Sequence, residues 1–268
     1  DTRLQSGDEV RIPPIRYTEK ESEHSAPPLK LSEMPPILFE DQNIMVVDKP
    51  AGMASHGGSG ISYGLIERMR ASRPELPFLE LVHRLDRGTS GVLVLAKTRK
   101  ALVRLHEMIR EGEMHKTYQA LVKGDWQNDR QHAKFPLFKY VTPSGERRVR
   151  VDPENGLPSH SIFRLKERFG PVSLVEVDLL TGRTHQIRVH AAELGFPLVG
   201  DEKYGDFAFN DEVAHGSLGV PFKRMFLHSG KICFHHPITG EELEIEAPLP
   251  KDCVELIEVL EQRKAQNK

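Results

Sequence analysis

Residues 81–97 read LVHRLDRGTSGVLVLAK. Two apolar runs, LELV (79–82) and VLVLA (92–96), have the aliphatic and β-branched content of buried strands. Between them stand Arg84, Asp86 and Arg87, then Gly88-Thr89-Ser90-Gly91. A hairpin needs only a turn, and Thr89 and Ser90 already supply turn chemistry. A carboxylate flanked by two arginines is more charge than that turn requires. Asp86 can be read as an Asx-type turn former that accepts from the Gly88 and Thr89 amides. It can also be read as a reacting group, because a nearby cation favours an ionised carboxylate suited to a nucleophilic or basic role.

Outward from this stretch, the pattern predicts an α+β domain. ILFEDQNIMVVDKPAG gives two short strands around an Asp-Gln-Asn turn, ended by Pro50 and Gly52. ISYGLIERMRAS reads as a helix. TRKALVRLHEMIREG is amphipathic, with Leu102, Leu105 and Ile109 on one face, Thr98 as cap and Gly112 beyond the end. HKTYQALVKGDW alternates as a strand, and SLVEVDLLTGR is another. THQIRVHAAELG has helical spacing, LHSGKICFHHPITGEELEIEAP is a hairpin, and KDCVELIEVLEQR is a helix. Strands joined by short turns favour a mixed, mainly antiparallel sheet with flanking helices. That domain is expected to span residues 36–268. Residues 16–36 mix charge, Ser and Pro without apolar periodicity and read as a linker. RLQSGDEVRIPP before them reads as the last strand of a domain cut off upstream.

The chain of 268 residues has a net charge of −2, which argues against nucleic-acid binding over its whole surface. The charge is uneven. Residues 130–150 hold six Lys/Arg against Glu146, and residues 84–104 hold six against Asp86. Residues 241–262 hold eight acids against Lys251. One basic side suits an anionic partner, although each run can also be a solvated face. There is no apolar run long enough to span a bilayer and no signal-type h-region. Two cysteines, Cys233 and Cys253, make neither a disulfide framework nor a cysteine-rich zinc site. The cytoplasm is the expected compartment. Thirteen histidines give no convincing ligand pair, since His185 and His190 diverge on a helix and His235-His236 are adjacent. No metal is expected.

Two further segments carry chemistry. In LLTGRTHQIRVH (179–190), Arg183 stands between a strand end and a helix start, with Gln186 and Arg188 adding donors where helix amides favour anions. In HKTYQALV (115–122), Tyr118 either packs in the core or stacks on a planar base, with its hydroxyl placed to handle a proton; Lys116 shares its face.

VHRLDRGTSGVLVLAKT, HKTYQALVKG and LLTGRTHQIRVH resemble, in this order, three signatures of the RluA-type pseudouridine synthases. DKPAGMASHGG and LHSGKICFHHPITGE resemble two flanking patterns, so the likeness runs from about residue 37 to 250. It implies the pseudouridine synthase catalytic fold, with residues 1–35 holding the tail of an S4-type RNA-binding domain and a linker. It also implies isomerisation of uridine to pseudouridine in RNA, most simply large-subunit ribosomal RNA, with tRNA or another RNA as the alternative. No cofactor is implied. No obligate protein partner is expected, and the chain is expected to act as a monomer. By resemblance Asp86 is the essential catalytic residue, Tyr118 contacts uracil and Arg183 pairs with Asp86. Arg84 enters the RNA stack, and Leu227 lines the uracil pocket. Arg87, Lys116, Arg147, Arg148, Gln186 and Arg188 are expected on the RNA. Two competing readings are a non-catalytic RNA-binding module and an aspartate-nucleophile hydrolase, which as a retaining glycosidase would need a second carboxylate.

Overall fold

The computed structural model describes residues 26–58 and 62–266. The expected S4-type tail and residues 16–25 of the linker lie outside them. In chain order the elements are β1 (Ile37–Glu40), β2 (Ile44–Lys49), α1 (Leu65–Ser72), β3 (Glu80–Leu81), β4 (Ser90–Ala96), α2 (Arg99–Glu111), β5 (His115–Lys123) and β6 (Arg130–Ala133). Then come β7 (Leu137–Val141), β8 (Arg147–Val151), β9 (Ser161–Arg168), β10 (Val172–Leu179), α3 (Gln186–Glu193), α4 (Phe207–Ala214), β11 (Leu227–His235), β12 (Glu242–Glu246) and α5 (Lys251–Gln266).

Ten strands form one sheet in the order β1-β2-β4-β11-β5-β10-β9-β6, with β12 on β11 and β3 on β4; β7 and β8 form a separate hairpin. Among the described residues every pairing is antiparallel except β4 with β11. That is the expected α+β class. Side chains alternate across the sheet. Met45, Val47, Leu93 and Leu95 pack with α1 and α3 on one face, together with Tyr118, Ala120 and Val122. Ile44, Val46, Val92 and Val94 pack with α2 on the other, and Leu121 and Val172 with α4 and α5. Thr98 caps α2 by accepting from the Ala101 amide, and Gly112 ends it at φ 76°. The buried residues of α2 are Ala101, Leu105 and Met108; Leu102 and Ile109 lie partly buried at its edges.

The opening stretch departs from its reading in one respect. Only Glu80 and Leu81 of LELV pair with β4. Val82 still donates to the Val94 carbonyl, but the Val94 amide turns to the ring Nε2 of His83 at 3.2 Å. A side chain thus replaces the next rung of the ladder, and residues 83–89 leave the sheet as a loop.

That loop enters β4 where the two halves of the sheet join. Gly91 is paired with Ser229 of β11, and Ser229 with Tyr118 of β5. Gly91 has φ 109°, and a Cβ there would lie 2.2 Å from the Ser229 carbonyl oxygen. Only glycine allows this approach. Gly91→Ala is expected to destabilise the protein by about 3 kcal/mol or more, read as a lower urea midpoint, whereas alanine at solvent-facing Gly112 costs less.

Candidate active site at the junction of the half-sheets

A cavity of about 1180 Å³ opens at this junction, between the 83–89 loop, β5, the start of α3 and the β7–β8 hairpin. It exceeds the roughly 300–1,000 Å³ of most small-molecule sites. Asp86 lies in it because its neighbours are pinned. The Ser55 hydroxyl donates to the Leu85 carbonyl at 2.7 Å and accepts from the Leu85 amide at 3.1 Å. The Thr89 amide closes the turn on the Asp86 main-chain carbonyl at 3.0 Å. The turn is therefore made by backbone, and the carboxylate faces the cavity instead of serving as an Asx cap.

The arginine that meets Asp86 is Arg188. Its guanidinium donates to Asp86 Oδ2 at 3.1 Å and makes a bidentate pair with Asp201, both bonds 2.8 Å. Asp201 is 1% exposed and also accepts from the Lys203 and Tyr204 amides at 2.8 and 3.1 Å. Burial opposes its charge, yet its pKa is lowered because these donors outweigh burial. The pairing expected of Arg183 is corrected accordingly: Arg183 is exposed, and its Nε donates to the Pro158 carbonyl at 3.2 Å. Arg183 precedes α3 on the turn, whereas Arg188 sits within the helix.

Gln186 and Arg188, expected on RNA, are corrected too. Both are buried, as is every residue from Gln186 to Ala191. Packed between the sheet and the β7–β8 hairpin, α3 has no watered face in its first turns. The Gln186 side chain accepts from the Thr181 hydroxyl and the Arg183 amide, and donates to the His160 carbonyl and Ser161 hydroxyl. It braces the Thr-Gly-Arg turn.

Tyr118 and Leu227 line the cavity and are 5% and 4% exposed. Burial pushes the Tyr118 phenol well above its ordinary pKa; a hydrogen bond with Ser229 opposes this, and the charge of Asp86 adds to it. Lys116 lies half-buried beside them, and burial pulls its ammonium down to about 8. At the rim, exposed Arg84 donates to His56 Nε2 at 2.8 Å, and exposed Arg87 donates to the Gly52 carbonyl at 3.0 Å. Arg147 and Arg148 line the cavity from β8. Arg148 is engaged by Glu146 at 2.8 Å and by the Lys203 carbonyl at 3.2 Å.

The family described as RNA pseudouridylate synthase matches residues 43–193, the span that builds the loop, β5 and α3. The chain belongs to the RNA pseudouridylate synthase family. It is 50% identical over 262 residues to ribosomal large subunit pseudouridine synthase C of Salmonella typhi, covering 96% of this chain and 81% of that protein. To the protein of the same name from Escherichia coli K12 it is 50% identical over 251 residues, covering 92% and 77%. Among solved structures, human RNA pseudouridylate synthase domain containing 4 superposes with a TM-score of 0.69 at 24% identity, over 84% of this chain and 92% of that one. Domain containing 1 gives 0.65 at 26% identity, over 85% and 95%. The protein is therefore an RNA pseudouridine synthase, an isomerase.

In this RNA pseudouridine synthase several residues at the site carried no clear signal in sequence. Asp201 and Tyr204 lie in GDEKYG, and only their short spacing between two glycines marks them. Lys49 is wholly buried and donates to the Pro50 and Met53 carbonyls at 2.9 and 2.7 Å. Burial, and then the charge of Arg224, pull its ammonium down to about 7. His185, which sequence sets aside as a metal ligand and gives no role of its own within LLTGRTHQIRVH, stands beside Asp86.

Asp201→Asn would leave Arg188 with one carboxylate partner in a buried site. The expected loss is about 3 kcal/mol of stability, read from the denaturant midpoint, with turnover falling in the same variant.

Proposed function

We propose that this protein converts uridines of large-subunit ribosomal RNA to pseudouridine, with Asp86 as the reacting carboxylate. The observation that carries the assignment of Asp86 is its place. It is a carboxylate 27% exposed to the cavity, tethered through Oδ2 to Arg188 and neighbour to Tyr118. The RNA class is supported by the names of relatives that are 50% identical. The N1–C1′ bond of the uridine breaks, the uracil rotates, C5 joins C1′, the C5 proton leaves to solvent and N1 takes a proton from solvent. Asp86 supplies the nucleophilic or basic group for this exchange. Asp201, the second carboxylate nearby, is held by Arg188 and two amides, so the site lacks the paired free carboxylates of a retaining glycosidase.

Access to C1′ requires the nucleotide to leave its stack, at a cost of about a few kcal/mol. Arg84, exposed at the rim, is placed to fill the vacated position with its planar guanidinium. Tyr118 and Leu227 form the apolar wall against the base. Lys139 and Arg147 on the hairpin, with Arg87 on the loop, offer charge to phosphates, so binding weakens with salt.

The deciding experiment is tritium release from 5-tritiated uridine in large-subunit ribosomal RNA and in tRNA. The native protein should release tritium from the former, and Asp86→Asn should lower the single-turnover rate by about 10³-fold or more. Equal release by both proteins would refute the role of Asp86; release from tRNA alone would refute the substrate. Arg84→Ala should keep the thermal midpoint and slow modification of structured RNA more than of an unpaired fragment. For Lys116 the sign follows from its depressed pKa: it is charged below about pH 8 and neutral above. RNA affinity should therefore fall from about pH 7 to about pH 9, and Lys116→Arg should flatten that dependence.

A further inference from the structure

His185 is the one non-glycine residue with positive φ among the described residues, at φ 55° and ψ 20°. Such a backbone is uncommon for a side chain of this size and is retained where the surroundings over-determine it, often at active sites. His185 occupies the N-cap of α3, yet its side chain makes no capping bond. The imidazole is directed into the cavity instead. Its Nδ1 lies 2.7 Å from the Tyr204 hydroxyl, and its Nε2 lies 3.9 Å from Asp86 Oδ1.

The hydrogen-bond inventory sets the tautomer. The Tyr204 oxygen already accepts from the Val149 amide at 2.9 Å. Assigning its one proton to Nδ1 satisfies both groups, with Nδ1 as acceptor and the proton of the neutral ring on Nε2. That N–H faces Oδ1, the Asp86 oxygen that Arg188 leaves open, since Arg188 bonds Oδ2. Contacts of this length in ligand-free active sites commonly shorten when substrate binds. Tyr204 is itself fixed: its ring lies under the Arg188 guanidinium at 5.1 Å and packs into a small core with Leu137, Val149 and Val189. Val149 belongs to β8, so the chain of contacts begins on the basic hairpin.

We propose that His185 is a positioning residue for Asp86, its Nε2–H orienting Oδ1, and that the Tyr204 hydroxyl ties this orientation to the hairpin. This rests on the reading of Asp86 as the reacting group. Burial holds the imidazole pKa below its ordinary value; the charge of Asp86 opposes this, Arg188 and Lys203 add to it, and Asp201 opposes it. A neutral ring donates to Oδ1 without neutralising the carboxylate. A charged ring would form an ion pair with the reacting oxygen.

The test uses single-turnover pseudouridine formation from about pH 5.5 to about pH 8.5 with the native protein, Tyr204→Phe and His185→Asn. Tyr204→Phe removes the donor to Nδ1, so that nitrogen can take a proton and the imidazole pKa rises. His185 is then charged below the raised pKa, and activity is lost as pH falls through it. The expected result is a new acid limb absent from the native profile, about tenfold below native at its foot, with RNA affinity within about twofold of native. His185→Asn keeps an acceptor for Tyr204 and tolerates the left-handed backbone, but it is too short for Asp86 and cannot titrate. It should lose about tenfold in rate and gain no acid limb. A Tyr204→Phe profile that superimposes on the native one, or an Asn rate within about twofold of native, overturns the proposal. Should Tyr204→Phe not fold, as judged by circular dichroism, the Asn variant alone decides. An active Asp86→Asn protein would instead overturn the reading beneath it. An inactive one alongside native behaviour in both other variants removes only the positioning role.

Discussion

The site depends on one buried guanidinium. Arg188 is 7% exposed and lies between two carboxylates, Asp201 wholly buried and Asp86 open to the cavity. A charge in such a place is stable only when its donors are satisfied, and Asp201 meets that need with two short bonds. A donor on the third nitrogen reaches Asp86 from a direction set by the rest of the molecule. Asp86 is thereby tethered at one oxygen and left open at the other. A carboxylate held this way keeps a defined orientation without losing access to a substrate, which suits a group that must react.

The sheet supplies the rigidity behind that arrangement. β4, β11 and β5 place Gly91, Ser229 and Tyr118 side by side, and Gly91 lets β11 come close enough to join the two half-sheets. The loop that carries Asp86 enters β4 at this seam, and Tyr118 leaves β5 at the same level. Three covalently remote segments thus meet through main-chain hydrogen bonds. Loops hung on such a frame are the usual location of reactive groups, because the frame pays the ordering entropy.

Basic residues divide into those committed to the fold and those offered outward. Arg188 is buried, and Arg148 is held by Glu146 and the Lys203 carbonyl. Arg84, Arg87 and Arg147 are exposed around the cavity. Counting charge along the chain does not separate these groups, and a net charge near zero conceals both. The hairpin that bears Arg147 stands apart from the main sheet and touches it through Tyr204 and α3, so a surface suited to an anion lies within a few bonds of Asp86.

The strands, the helices and the prominence of Asp86 were legible in sequence because they rest on local signals. Alternation marked β5 and β10, Thr98 and Gly112 bounded α2, and a carboxylate between two arginines exceeded what a turn needs. The strands β6, β7, β8 and β9 and the helix α4 carried weaker patterns and were not separated from the loops around them. Which arginine meets Asp86 was not legible. Arg183 and Arg188 lie in one motif, and only the packing of α3 turns Arg188 inward and leaves Arg183 in water. The same holds for Gln186, a polar residue that ties its own Thr-Gly-Arg turn to His160 and Ser161 at the start of β9, and for Asp201 and Tyr204, which gain their meaning from partners on α3, its N-cap and β8. Sequence by itself determined the elements and the residue types available for chemistry, because propensity, capping and periodicity act over a few residues. Tertiary structure alone decided the pairings among charged groups, because burial, and with it the demand for a partner, arises only when distant segments exclude water together.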